Sequence, residues 1–252
     1  MSNLYWLNDD EWSRIAPLLP RGRRGAHRVD DRRVISGIVH MLRTGARWRD
    51  CPAAYGPYTT IYNRFNRWSK QGVWEDLFYA LAGSSGVISS AAVDSTYVKA
   101  HRSAAGAKGG PSSNAIGRSR GGRTTKVHAI TDQCGRPVAF TITPGNTHDL
   151  VGAEALLQRA PLPRKLIADR AYDARKLRDW LAARGCEAVI PPNPTRKHPH
   201  TYDAEAYKTR NLIERMFCRL KDFRRIATRY DKRADTYLSS ILLAAAIIWW
   251  IN

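Results

Sequence analysis

Features that would tie the chain to a membrane or to an oxidising compartment are scarce in its sequence. The apolar run 241–251 is too short to span a bilayer, and the segment after Met1 shows no signal-peptide pattern. Cysteine is rare and widely spaced, with no CxxC pair: Cys51, Cys134, Cys186 and Cys218. This spacing argues against a disulfide framework or a zinc site and predicts a reducing, cytoplasmic location with no membrane partner.

Acidic residues are also scarce. The 252 residues include 22 Asp and Glu against 41 Lys and Arg, which gives a formal net charge of +19. Such an excess of positive charge predicts a polyanionic partner, most often nucleic acid; the alternative is a merely soluble basic protein. The length allows one large domain or two modest ones, each with its own core.

Residues 1–86 show helical periodicity and predict a small all-α domain that ends at the flexible joint Gly83-Ser84-Ser85-Gly86. The third predicted helix, 59–70, carries apolar residues on one side and Arg and Asn residues largely elsewhere. This pattern suits the recognition helix of a helix-turn-helix, because Arg and Asn pair with base edges in the major groove. The alternative is an ordinary amphipathic helix with a solvated polar face. The candidate DNA-binding residues here are Arg64, Arg67 and Lys70.

Residues 87–252 show strands first and then alternating helices and strands, which predicts an α/β domain with a mixed sheet covered by helices. Strands are predicted over 87–99, 126–131, 137–143, 166–168 and 188–190. The segment 99–126 has seven Lys and Arg residues and no acidic residue, and it predicts a mobile basic loop that clamps the DNA backbone. The alternative is a solvated linker. The candidate DNA-binding residues in it are Arg118, Arg120, Arg123 and Lys126.

Three carboxylates stand out by their positions. Asp94 lies within the first predicted strand, where an acid is costly unless it has a partner or a function. Asp169 follows a buried strand, which is a frequent position for functional sites, and Glu214 lies on a predicted helix. Carboxylates that converge repel one another, and Mg²⁺ relieves this repulsion because it takes oxygen ligands and also binds phosphate. Two such ions would activate an attacking oxygen and stabilise a leaving one. The alternative for each acid is a structural hydrogen bond.

The predicted helix around Glu214 also carries cations. At ~100° per residue, four polar side chains fall within roughly 60° of one face: Tyr207, Arg210, Glu214 and Lys221. A separate apolar face is formed by Leu212, Ile213, Met216, Leu220 and Phe223. The helix can therefore bury one side and present Glu214 to a phosphodiester with cations beside it.

Several residues near these acids allow two interpretations. His148 and Asp149 could help to position DNA or metal, whereas an Asp at this position is also a common N-cap of the following helix. Arg170 could contact phosphate or form a surface ion pair. Asp173 is predicted to cap the helix that follows it.

The order of Asp94, Asp169 and Glu214 on these elements resembles the DDE catalytic core of the ribonuclease H-like fold. The pattern Tyr-x2-Arg-x3-Glu-x6-Lys, met by Tyr207, Arg210, Glu214 and Lys221, is similar to that of bacterial insertion-sequence transposases, most closely insertion-sequence family five. Further segments that resemble this family are 48–52, 93–96, 144–149 and 168–173. The resemblance covers nearly the whole chain, with residues 1–86 as a helical accessory domain and residues 87–252 as the catalytic domain.

The resemblance implies a transposase that cleaves phosphodiester bonds at the ends of its element and joins the released 3′ hydroxyls to target DNA. It implies that Asp94, Asp169 and Glu214 hold two Mg²⁺ ions, which Mn²⁺ can replace. Catalytic roles beside the phosphate are implied for Tyr207, Arg210 and Lys221. The implied partners are double-stranded DNA and a second copy of the chain, in a homodimer or higher oligomer near the bacterial nucleoid. Two alternatives stay open: a metal-dependent endonuclease that cuts without joining, and a non-catalytic DNA-binding repressor derived from a transposase.

Overall fold

The computed structural model describes residues 4–20, 30–83 and 86–251. Its described helices are, in chain order, α1 Asp9–Ile15, α2 Asp31–Thr44, α3 Tyr58–Lys70, α4 Val73–Ala82, α5 Gly110–Ser113, α6 Asp149–Leu157, α7 Arg175–Ala182, α8 Ala204–Tyr207, α9 Asn211–Lys221, α10 Arg224–Ala227 and α11 Ala234–Ala245. Its described strands are β1 Ser90–Ala100, β2 Gly117–Ser119, β3 Gly122–Thr131, β4 Pro137–Pro144, β5 Lys165–Ile167, β6 Glu187–Val189 and β7 Thr228–Arg229. Ser84 and Ser85 of the predicted joint lie outside the described residues.

The described residues form two compact units. The first is helical and takes its residues from 4–20, 30–83, 100–110 and 220–251, and the second contains residues 86–99 and 111–219. The helical unit thus includes C-terminal segments as well as N-terminal ones. The division of the chain into domains at residues 86 and 87 stays a prediction.

The helices of the first unit begin at side-chain caps and pack through their apolar faces. Asn8 caps α1 in a capping box with Glu11, and Asp30 caps α2 by accepting a hydrogen bond from the Arg32 backbone N–H at 2.9 Å. Within this unit α11 packs against α2, α3 and α4. The chain continues from α11 into a largely buried π-helical turn, Ala246–Trp250. No helix in the described ranges is long and apolar enough to cross a membrane.

The sheet of the second unit is mixed, with the strand order β4-β3-β1-β5-β6 and with β2 paired to the start of β3. Strands β1, β3 and β4 form an antiparallel meander, in which Asp94 lies opposite Ala129. Strands β5 and β6 are parallel to β1, with Ala92 opposite Ile167. This arrangement confirms the predicted ribonuclease H-like mixed sheet with flanking helices.

The predicted basic loop between the first two strands is shorter than the sequence suggested. Residues 117–119 form β2, and β3 already begins at Gly122 instead of at Lys126. The backbone groups of this segment are paired in a small ladder with β2, and Thr124 and Thr125 of β3, which point to opposite faces of the sheet, are both buried. Arg118 and Arg123 therefore lie opposite each other on strands rather than on a free loop.

Side-chain alternation along β1 divides the residues near the predicted site between two faces of the sheet. Asp94 points to one face, and Ser95, Tyr97 and Lys99 point to the other. Helix α6 packs against β3 and β4 on the Ser95 face. The Asp94 face and the Ser95 face therefore provide two different chemical environments on one strand.

Candidate active site

Both carboxylate oxygens of Asp94 accept hydrogen bonds. Its Oδ1 accepts a hydrogen bond from the Ser95 backbone N–H at 2.7 Å, and its Oδ2 accepts one from Arg210 Nη1 at 2.7 Å. Burial raises the pKa of Asp94, although the hydrogen bond from Ser95 and the charge of Arg210 oppose the rise. The charge of Asp169 raises the pKa further, so these two carboxylates influence each other.

Arg210 bridges Asp94 and Glu214. Its Nη1 donates to Asp94, its Nη2 donates to Glu214 Oε1, and its side chain is only 20% exposed. Glu214 lies in the first turn of α9 and is 55% exposed. The structure therefore brings the predicted strand acid and the predicted helix acid to a common cation.

Asp169 follows β5 by two residues, as predicted. It caps the 3₁₀ turn Arg170–Tyr172, and its Oδ1 accepts a hydrogen bond from the Ala171 N–H at 2.9 Å. Among the described residues, no group of three His, Cys, Asp or Glu side chains is arranged to hold a metal ion. The donor chemistry nevertheless fits a hard divalent cation, because the acids offer carboxylate oxygens and two of them already share one positive group.

The predicted single helix around Glu214 is interrupted. Tyr207 ends α8, Arg210 ends a 3₁₀ turn over residues 208–210, and Glu214 and Lys221 belong to α9. The Tyr207 ring packs edge-to-face on Tyr202, with 5.7 Å between ring centroids. Lys221 is the last residue of α9, two turns after Glu214 on the same helix face.

Asp149 does not cap α6, so this interpretation of the sequence is wrong. The cap is His148, whose Nδ1 accepts a hydrogen bond from the Leu150 N–H at 3.3 Å. Asp149 Oδ1 instead accepts a hydrogen bond from Ser95 Oγ at 2.6 Å and lies 3.0 Å from Lys126 Nζ. Burial alone would raise the pKa of Asp149, but these two partners outweigh it and lower the pKa.

The structure contradicts the prediction that Lys126 is a free DNA contact. Its side chain is 4% exposed, because its Nζ is held by Asp149, by the Thr147 carbonyl at 2.7 Å and by the Tyr97 ring at 4.8 Å. The positive charge is therefore compensated inside the protein.

Asp173 does not cap α7 either; the cap position is Ala174, with no side-chain hydrogen bond. Burial would raise the pKa of Asp173, but hydrogen bonds from Arg196, from the Asn193 N–H and from Arg178 lower it to about 2. Asp173 is thus a buried structural acid. Arg170 is exposed, and its predicted phosphate contact stays a prediction.

A cavity of about 820 Å³ opens on the Ser95 face of β1. Exposed cations line it, and in the described part of the chain none of the three has an acidic partner: Lys99, Arg118 and Arg120. Its walls also include Tyr97, which is 53% exposed, and Asn146. We call this cavity the basic pocket. Arg123 is exposed on β3 outside it.

In the helical unit, the structure contradicts the prediction that Arg64 reads base edges. Arg64 is 4% exposed, donates a hydrogen bond to Asp31 and lies 4.8 Å above the Trp68 ring. Arg67 and Lys70 are exposed on α3, beside the exposed Tyr62. Only these two of the three candidates on α3 can contact another molecule.

Sequence reasoning missed one buried group near the acids, Tyr172. It is 1% exposed, and its hydroxyl has no hydrogen-bond partner of good geometry among the described residues. Burial raises its pKa above the ordinary range, and the charges of Asp94, Asp149 and Asp169 raise it further. The position of Tyr172 three residues after Asp169 was the available signal.

Comparison with known proteins places the chain in a family. Residues 7–78 match the family model for transposases of the IS4/5 family, and residues 86–249 match the model for the transposase DDE domain. The chain is 41% identical over 127 residues to the transposase for insertion sequence element IS6501 of Brucella ovis, covering 50% of this chain and 98% of that protein. It is 32% identical over 154 residues to the transposase for IS402 of Burkholderia cepacia, covering 57% and 69%.

The fold comparison agrees with this family. A cryo-EM structure of the piggyBac transposase synaptic complex with hairpin DNA matches with a TM-score of 0.53 and 8% identity, over 96% of this chain and 72% of that one. Transposase DDE domains act on DNA with divalent metal ions. Because the DDE model matches more than half of the chain and the Brucella relative is covered almost completely, the chain belongs to the DDE transposases of the IS4/5 insertion sequences.

Proposed function

We propose that Asp94, Asp169 and Glu214 are the metal ligands with which this transposase cuts its element ends and joins them to target DNA. The metal is Mg²⁺, in two positions, and Mn²⁺ substitutes for it. The observation that carries the proposal is the bridge of Arg210 between Asp94 and Glu214. It indicates that acids from β1 and α9 converge where a positive charge is favourable.

The chemistry consists of two displacements at phosphorus. Water forms a new P–O bond at the element end, the P–O3′ bond breaks, and the leaving 3′ oxygen takes a proton. That 3′ hydroxyl then attacks a target phosphodiester, so one P–O bond forms as another breaks. When bound, divalent ions supply activation of the attacking oxygen and stabilisation of the leaving one.

The cations of this chain have matching roles in the proposal. Arg210 neutralises phosphate charge and orients Glu214, because its guanidinium offers several donors in a fixed plane. Lys221 adds a second positive charge on the same face of α9. Tyr207 supports the turn that carries Arg210 through its packing on Tyr202.

Double-stranded DNA is the proposed substrate and partner. In the second unit, DNA phosphates are contacted by Arg118, Arg120 and Arg123. In the helical unit, DNA is contacted from α3 by Arg67 and Lys70. Two element ends must be held together for joining, so the active form is a homodimer or higher oligomer on DNA at the bacterial nucleoid.

The test is strand cleavage by Asp94→Ala, Asp169→Ala and Glu214→Ala with Mg²⁺, element-end DNA and a target plasmid. Each variant should lose about 1,000-fold or more in cleavage rate, because a metal ligand is missing, while DNA affinity stays within a few-fold. Glu205→Ala is the matched control, because Glu205 is an exposed acid whose carboxylate pairs with the exposed Lys208.

Wild-type cleavage in any of the three alanine variants contradicts the assignment. Nicked DNA without joined products from the wild-type protein would favour the endonuclease alternative. Tight DNA binding with no cleavage at all would favour the repressor.

A further inference from the structure

We propose that Ser95, Asp149 and Tyr172 form a positioning cluster that fixes Asp94 relative to Asp169. The inference rests on the proposed metal-binding role of these two aspartates and deepens it. The three cluster residues lie outside the signature around Glu214, in the segments 93–96, 144–149 and 168–173 that also resemble the family. Ser95 lies on β1, Asp149 begins α6, and Tyr172 lies in the 3₁₀ turn that follows β5.

Ser95 is the link between Asp94 and the opposite face of the sheet. Its backbone N–H donates to Asp94 Oδ1 at 2.7 Å, and its Oγ donates to Asp149 Oδ1 at 2.6 Å. A serine that is bonded through both groups has one orientation. Ser95 therefore joins the β1 segment that carries Asp94 to Asp149 at the start of α6, so a displacement of α6 would act on Asp94 through the β1 backbone.

Asp149 is itself held by a buried cation. Lys126 Nζ lies 3.0 Å from Asp149 Oδ1 and donates to the Thr147 carbonyl at 2.7 Å, and the Lys126 side chain is 4% exposed. An ion pair whose cation is buried and has further hydrogen bonds holds its partners in one geometry, because a displacement leaves the buried charge without compensation.

Close packing fixes the depth of α6 on the sheet. A Cβ atom on Gly152 would lie 2.2 Å from Nδ1 of His128, so the helix rests directly on this ring of β3. Burial lowers the pKa of His128 to about 4, which leaves the ring neutral, and its Nε2 is 2.8 Å from Thr143 Oγ1. The start of α6, and with it Asp149, thus has little freedom to move.

Tyr172 connects the same cluster to Asp169. It is the last residue of the 3₁₀ turn that Asp169 caps, and it is 1% exposed. This turn packs against α6, the helix that carries Asp149. Burial raises the pKa of Tyr172, and the charges of Asp94, Asp149 and Asp169 raise it further. The hydroxyl is buried and has no well-aligned hydrogen-bond partner in the described chain.

The expected consequence concerns metal affinity more than DNA affinity. Mg²⁺ requires nearly ideal octahedral geometry, so small shifts between two ligands weaken its binding. Changes in groups that hold metal ligands typically reduce metal affinity by about 10–100-fold. The cluster should therefore set the divalent-ion concentration that cleavage requires.

The experiment uses the full-length protein with Tyr172→Phe and with the double variant Lys126→Met, Asp149→Asn. The double variant removes both partners of the buried ion pair, so no unpaired charge is left inside. Mn²⁺ binding is measured without DNA by electron paramagnetic resonance, and cleavage is measured against Mg²⁺ concentration. Asp132→Asn is the matched control, because Asp132 is also buried and ion-paired, to Arg136 in the β3–β4 turn.

We expect about a 10-fold weaker Mn²⁺ affinity and a similar rise in the half-maximal Mg²⁺ concentration for both cluster variants. DNA affinity should stay within about twofold, and Asp132→Asn should leave both metal readouts unchanged. Wild-type metal affinity in both cluster variants, in folded protein, overturns the inference. Asp94→Ala separates the two proposals: if it loses Mn²⁺ binding while both cluster variants keep it, only the cluster fails. Unchanged binding in Asp94→Ala overturns the metal site and the cluster together.

Discussion

Basic residues have opposite roles in the helical unit and in the basic pocket. In the helical unit, Arg64 and Arg225 are buried and paired with Asp31 and Asp231. In the basic pocket, the exposed cations have no acidic partner among the described residues: Lys99, Arg118 and Arg120. The difference shows that a net charge of +19 does not identify the DNA-binding groups. Only uncompensated cations at the surface can exchange their counterions for phosphates.

Burial explains why the arginines inside the helical unit are paired. Arg229 is fully buried, its pKa is lowered to about 10 by burial, and its Nε donates to the Asp231 carbonyl at 2.9 Å. A charge inside a protein persists only when it is paired or hydrogen-bonded. These arginines therefore stabilise the helical unit and are not available to DNA.

The largest expected effect comes from removing the pocket cations together. The triple variant Lys99→Gln, Arg118→Gln, Arg120→Gln should weaken DNA binding by about 100-fold at low salt, because about three phosphate contacts are lost. The slope of log affinity against log salt should also become shallower by about 2.7, at about 0.9 per phosphate. Fluorescence anisotropy with element-end DNA over a salt series measures both.

A matched triple variant sharpens the comparison. Arg175, Lys176 and Lys208 are exposed cations of the same unit, but each has a carboxylate partner. Replacing these three by Gln removes the same charge and should change DNA affinity by only a few-fold. An equal loss of affinity in both triple variants would mean that net charge matters and pairing does not.

Replacement of Arg64 is expected to change DNA affinity little but to lower the free energy of unfolding clearly. Arg64→Met should lower the free energy of unfolding by about 3 kcal/mol, because the ion pair between Arg64 and Asp31 is lost in a nearly buried site. Arg67→Ala, at an exposed position on the same helix, should leave stability within about 0.5 kcal/mol and weaken DNA binding a few-fold. Denaturant unfolding and anisotropy give the two quantities. If Arg64→Met weakened DNA binding as much as Arg67→Ala in folded protein, the structural role of Arg64 would be wrong.

Local rules were sufficient for much of the fold. Asn8 and Asp30 cap α1 and α2, as Asn and Asp commonly do at helix starts, and the segment around Asp94 is a strand within a few residues of its predicted bounds. Asp169 follows a short buried strand as expected. Each of these predictions depends on neighbours within one or two turns of the chain.

Predictions that failed depend on distant partners. Asp149 resembles a cap in the sequence, but its partners Ser95 and Lys126 come from other strands. Asp173 likewise pairs with Arg178 and Arg196 instead of capping α7. An acid before a helix can satisfy its charge locally or across the fold, and only the tertiary structure decides which.

The helical unit also shows that the sequence does not reveal which distant elements pack together. The C-terminal apolar run predicts a buried segment but not its partner, and α11 packs against α2, α3 and α4. An apolar face predicts that a helix is buried, but it contains no information about which face it meets.

The measurement that tests the central claim most directly is DNA cleavage by Asp169→Cys with Mg²⁺ and with Mn²⁺. A thiolate is a poor ligand for Mg²⁺ and a better one for Mn²⁺. If Asp169 holds a catalytic metal, the variant should be inactive with Mg²⁺ and regain cleavage with Mn²⁺, whereas Asp169→Ala should stay inactive with both. Full activity of Asp169→Cys with Mg²⁺, or equal recovery of Asp169→Ala with Mn²⁺, would contradict the account.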